Sequence, residues 1–219
     1  MEKNTSGMMK DFGGRVASVW EGLRPMTRNL VETALAAAIA PSGQSTAGRM
    51  PSAGAPYDAR SEWELSRLLA ALDERGRESA GLDALNDEQA RALMHMAEAC
   101  ARVLHGEARS AEVFAQLLER TLSTGNYRRV DALADTISSR LAPSEMCELA
   151  RHDSPSVRAI ALEALAQVPT GILVELLGDP VDADVARAAL ESQADEYGSA
   201  EARWVVNALE RADEEEGLD

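Results

Sequence analysis

The sequence predicts an all-α protein, a stack of αα-hairpins with a separate amphipathic helix at its N-terminus. Three observations predict it. Apolar residues make up 45 % of the 219 positions but aromatics only 4 %, so the core must be built from Ala, Leu and Val. Such small side chains suit closely packed helices, and the periodic stretches are rich in Ala, Leu, Glu and Arg, all strong helix formers. No run of alternating β-branched residues reads as a strand. Finally, the stretch DSPSVRAIALEAL at 153–165 is echoed by ADVARAALESQA from Ala183, with Val157 falling on Val185, 28 positions later.

The elements follow in order. Residues 8–40 read as one helix, or a pair kinked at Pro25, because Pro lacks the N–H that a helix interior needs. Phe12, Val16, Val19, Trp20 and Leu23 share a narrow arc of that helix, continued by Leu30, Val31 and Ala34. Residues 41–60 are rich in Pro, Gly, Ser and Ala without periodicity and read as a flexible linker. From Ser61 the helical signal is nearly continuous. Ser61 and Glu64 have the spacing of a capping box, and that helix should end near Gly76. A second runs from Asn86 to about His105. A third starts at Ser110 and buries Ala111, Phe114, Leu117, Leu118 and Leu122, until Gly125-Asn126 breaks it. Val130, Leu133, Ala134, Ile137 and Leu141 mark a fourth, stopped by Pro143, and Ser144 caps a short fifth. Further helices are expected at about 155–167, 170–177, 183–196 and 199–212. Short turns between them make each pair an αα-hairpin. DEEEGLD at the end reads as a solvated acidic tail over 213–219.

The echo explains the architecture. With Val157 on Val185, Ala161 falls on Ala189, Leu162 on Leu190 and Glu163 on Glu191. Each of these helices is followed by a second, whose inward residues are Leu173 and Leu177 or Val205 and Leu209. Val130–Leu141 followed by Ser144–Arg151 repeats the scheme more loosely. One such hairpin cannot bury its stripe alone, but stacked neighbours share a continuous core. DSPSVRAIALEAL resembles the first helix of a HEAT-like repeat of the short bacterial type, with roughly thirty residues per unit. The resemblance is clearest over 127–212. It implies a right-handed solenoid over 61–212 in which Asp153 caps the helix and Arg158 joins a ladder with a neighbouring unit's acid. The second copy departs, with Ala186 where Arg158 would stand and Arg187 one place later.

Reaction centres are not written in the chain. His95, Cys100 and His105 are spaced by five, which turns a helix about 140° past a full turn, so they cannot face one metal. Neither GxSxG nor a GxxxxGK[ST] loop occurs. No catalytic, metal or cofactor residue is expected, and Cys100 and Cys147 suggest no disulfide framework. Glu32 interrupts the longest apolar run, at Leu30–Ala40, and nothing resembles a secretory signal, so a cytoplasmic location is expected. The net charge is −15, and residues 61–219 alone carry −17, with 15 Lys or Arg against 32 Asp or Glu. Such a body repels nucleic acid.

The function expected is therefore that of a non-enzymatic adaptor or scaffold for a protein partner. Phe12, Val16, Trp20 and Leu23 offer one docking stripe. That stripe has three readings: it caps its own domain, enters a groove on another protein, or lies on a membrane surface aided by Lys10, Arg15, Arg24 and Arg28. On the HEAT pattern, second helices line the concave side, which implies contacts through Glu148, Glu175, Arg203 and Asn207. Trp63 and Trp204 point roughly 160° and 150° from their own helices' apolar stripes. Trp63 is read as buried by a second neighbour; Trp204 stands open between core and partner anchor. The alternative is a small-molecule or chromophore-handling protein, since some HEAT-like proteins resemble lyases that attach bilins.

Overall fold

A computed structural model describes residues 2–39, 57–78 and 84–216. Among them every regular element is a helix, twelve in all, as the composition requires. Contacts divide the chain into two compact units, Met1–Ala108 and Arg109–Asp219. The compositional break after residue 60 thus falls inside the first unit.

Unit 1 holds five helices: α1 (Glu2–Asp11), α2 (Gly14–Gly22), α3 (Pro25–Ile39), α4 (Ala59–Arg77) and α5 (Asp87–Glu107). The N-terminal segment is therefore three helices, where one or two were expected. Pro25 makes one break, sitting at the first position of α3 where its missing N–H costs nothing. Gly13 makes the other: its φ of 112° suits glycine and strains other residues. That break was missed because Phe12 and Val16 continue one apolar stripe straight across it. α4 and α5 form a hairpin, with α2 laid on α4 and α3 on α5. Leu65, Leu68, Leu69 and Leu72 of α4 are fully buried, as are Met96, Cys100 and Leu104 of α5.

The start of α4 corrects the capping-box assignment. Asp58 is the N-cap, and its carboxylate accepts from the Ser61 N–H at 2.7 Å, so Ser61 and Glu64 lie inside the helix. The capping box in this unit belongs to α5, where Asn86 and Gln89 bond each other reciprocally. Most of the expected linker, residues 41–56, lies outside the described residues. Its last three, Asp58–Arg60, are the cap and first turn of α4.

Unit 2 holds α6 (Ala111–Ser123), α7 (Tyr127–Arg140), α8 (Pro143–Ala150), α9 (Pro155–Leu165), α10 (Thr170–Leu176), α11 (Ala183–Asp195) and α12 (Ala200–Glu216). Helices two apart are neighbours. α7 packs on α9 and α9 on α11, while α6, α8, α10 and α12 form a second row against them. α8 begins two residues earlier than expected, with Pro143 in its first turn and Ala142 as cap, so Ser144 is not the cap. The acidic tail is helical through Glu216, and 217–219 lie outside the described residues.

Burial shifts the internal alignment by one residue. Val157, Ala161, Ala164 and Leu165 are buried on α9, and Ala186, Leu190, Gln193 and Ala194 match them on α11 at an offset of 29, while Ala189, aligned with Ala161 at an offset of 28, is buried too. Val185 is only half-buried. The one-residue difference restores Arg158 opposite Arg187, but neither bonds an acid of the other helix. Arg158 donates to the carbonyls of His152 and Asp153, at 2.8 Å each, while Arg187 bonds Glu191 and Asp213. Asp153 does not cap α9 either, since Ser154 is its N-cap residue and makes no side-chain bond.

Other polar groups tie the rows together. Arg151, closing α8, donates to Asp182 at 2.8 Å and to the Val181 carbonyl at 3.1 Å, just before α11. Buried Gln193 donates to the carbonyls of Ala166 and Val168, which end α9, and accepts from Thr170 of α10. A buried amide serving orphan carbonyls satisfies groups that burial would otherwise penalise. Among the described residues, no helix is long and apolar enough to cross a membrane.

Candidate partner-binding surfaces

The N-terminal stripe is covered by its own unit. Phe12, Val16, Trp20 and Leu23 are buried, together with Met9 and Val31, where α2 and α3 lie on α4 and α5. Val19 and Leu30, at the margins of the same arc, are half-buried. Arg75 of α4 donates to the Phe12 carbonyl at 2.8 Å, and Arg15 pairs with Glu74 at 2.5 Å. Arg28 turns back to donate to the carbonyls of Trp20 and Glu21, placing a cation at the C-terminus of α2 where the helix dipole favours it. In this conformation the stripe offers nothing to a partner or a membrane.

A polar clamp fixes that arrangement. Arg24, in the break between α2 and α3, forks onto Asp58 with contacts of 2.6 and 3.0 Å. Its Nε reaches Glu64 at 3.2 Å, and a further Nη2 contact reaches the Ser61 hydroxyl at 2.9 Å. Glu64 also accepts from the Thr27 hydroxyl, the Arg24 backbone N–H and Arg60. It is 3 % exposed. Burial alone pushes the Glu64 carboxyl up, but the Thr27 and Arg24 hydrogen bonds and the Arg24 charge outweigh it and hold it below its ordinary value. Asp58 is held far below the usual carboxylate range, first by the Arg24 hydrogen bonds and then by Ser61. The same contacts raise Arg24. Sequence reasoning missed this cluster. The signal available was an Arg before Pro25 and a Glu at an inward position of α4, and spacing alone does not join them.

Unit 2 leaves more surface open. Between α6 and α8 lies a groove of about 330 Å³. Ala111 and Ala115, one turn apart on α6, let α8 approach, and Glu145 of α8 accepts from the Ala111 N–H at 2.6 Å. Glu112, Glu119 and Glu148 line this groove, with His152 at its edge. The His152 Nδ1 accepts from the Ser154 N–H at 3.2 Å, which places the proton of the neutral ring on Nε2. Glu175 is exposed on α10, outside this groove.

On α12, Ala202 is fully buried and Val205, Val206 and Leu209 are half-buried. Trp204 faces away from them and is 69 % exposed, with Asn207 and Arg211 following on the same outward face. Arg211 bonds the Asn207 carbonyl at 2.9 Å. Arg203 reaches sideways to the Ala194 carbonyl at 2.6 Å, which joins it to the end of α11. Of the expected contacts, then, Trp204 and Asn207 share a face, whereas Glu148 lies in the groove. Trp63, expected to be buried by a second neighbour, is 51 % exposed, because the helices packed on α4 leave its outer side open.

Burial pushes the Cys147 thiol up to about 11, with nearby Asp182 adding to the effect, so it stays protonated and unreactive at neutral pH. Among the described residues, no group of His, Cys, Asp or Glu is placed to hold a metal ion. No protein-family model, curated protein or solved structure matches the chain.

Proposed function

We propose that the chain is a non-enzymatic adaptor whose second unit is a short HEAT-like stack that presents helix faces to a protein partner. Neighbouring helices two apart and burial recurring at an offset of 29 support the repeat reading. The observation that carries the function is the outward face of α12. There a large aromatic, Trp204, stands exposed opposite fully buried Ala202, flanked by Asn207 and Arg211. Aromatic and Arg side chains of this kind are the usual anchors of protein interfaces. The groove holding Glu148 gives the same row a second, acidic contact area.

The test is a paired affinity purification from the native cell with full-length wild-type chain and the Trp204→Ala variant. At an exposed position the substitution leaves the fold intact. Wild type captures a reproducible protein partner, and the variant binds it at least ~10-fold more weakly, the loss expected for an anchor. Equal capture by both removes α12 from the interface; no partner for either overturns the adaptor reading.

A further inference from the structure

We propose that the outward face of α4 is a second docking ridge, fitted to an acidic segment of a protein partner. It is independent of the α12 face and lies in the other unit.

Arg60, Trp63 and Arg67 are spaced by three and four residues, and so lie along one side of α4, opposite the buried Leu65, Leu68 and Leu72. Beyond Arg67 the same side of the helix turns acidic, with Glu74 half-buried and Glu78 exposed. The Arg67 guanidinium sits over the Trp63 ring, 4.6 Å from its centroid, so ring and cation hold each other in place while both remain exposed.

The carboxylates nearest these residues are buried or already paired. Glu62 and Glu64 are buried; Glu64 accepts from Arg24 and, at 3.2 Å, from Arg60 itself, and Asp58 is bonded by Arg24. Glu74 is paired with Arg15. What faces outward beside Trp63 is the pair Arg60 and Arg67, on a chain whose net charge is −15.

That local sign selects the partner. At physiological salt, exposed charges more than about 8 Å apart are largely screened, so a docking segment senses the ridge rather than the whole protein. Arg60 and Arg67 stand about 10.5 Å apart along the axis, one heptad, which matches carboxylates one heptad apart on a helical segment. Trp63 lies between them as the apolar anchor. A nucleic acid is the poorer fit, because its phosphates continue past so short a ridge onto an acidic surface.

The test uses the full chain and a fluorescein-labelled helical peptide built of Glu, Ala and Leu, with Glu at heptad spacing, followed by anisotropy at about 0.15 M salt. Saturable binding is expected, weakened at least ~10-fold by Trp63→Ala and by Arg67→Glu, both exposed positions outside the Glu64 clamp. Trp204→Ala should bind the peptide as wild type does, which separates this ridge from the α12 face. Absence of saturable binding, or binding that neither ridge variant changes, overturns the proposal. So does tighter binding of a single-stranded oligothymidine.

Discussion

Phe12→Ala lowers the stability of unit 1 by about 3–5 kcal/mol, the cost of removing a phenyl ring from a packed interior. Phe12 is fully buried, although its place before Gly13 at the turn from α1 to α2 gives it no helical support of its own. Its ring belongs to the stripe through which α2 lies on α4. The measurement is denaturant unfolding of the full chain, read through the emission of buried Trp20 against a background from exposed Trp63 and Trp204. A cost below about 0.5 kcal/mol, as at a surface position, contradicts the burial of the stripe.

The second large effect is at Glu64. Glu64→Ala takes the carboxylate acceptor from Thr27, leaving it only the Ser61 hydroxyl at 3.5 Å, and strips Arg24 of one of two carboxylates in a part-buried site. Breaking a buried ionic cluster in this way costs about 3–5 kcal/mol. Arg24→Leu combined with Glu64→Leu should recover much of that loss, because the part-buried Arg24 charge goes with its buried partner and the Asp58 left behind is solvent-exposed. The pH dependence carries the same signature. Glu64 and Asp58 are both held below their ordinary values in the folded chain. Their contribution is thus fully present above the unfolded carboxylate value near 4 and is lost as pH falls through the lower folded values. Acid unfolding of wild type should be steeper below about pH 4 than that of the double leucine variant. Equal slopes would place the stabilising carboxylates elsewhere.

How much of this was legible in the residues depends on the range of the interaction. Helix interiors were, since Leu65, Leu68, Leu69 and Leu72 fall at local spacings that identify a buried stripe. Breakers such as Pro25 and Gly125 act within a residue or two and are equally plain. The caps were less so: Ser61 and Ser144 have the right chemistry, but Asp58 and Ala142 hold those positions, because a cap depends on where the chain enters the helix. The clamp of Arg24, Asp58 and Glu64 spans 34 and 40 residues and was invisible. The match between α9 and α11 shifts by one for a related reason. Val185 looks like the better core residue, yet packing between α9 and α11 buries the smaller Ala186. Of the surfaces, Trp204 was identifiable from its position opposite a stripe. Trp63 was misjudged, because the extent of cover over α4 is a tertiary fact.

The claim on which the functional reading turns is that the N-terminal stripe is spent inside unit 1, leaving docking to outward helix faces. Hydrogen exchange on the full chain tests it most directly. Amides of α2 and α3 should be protected together with those of α4 and α5, as members of one cooperative unit. If residues 14–39 exchange at unfolded rates while 87–107 remain protected, the stripe is free, and the N-terminal segment itself becomes the docking element.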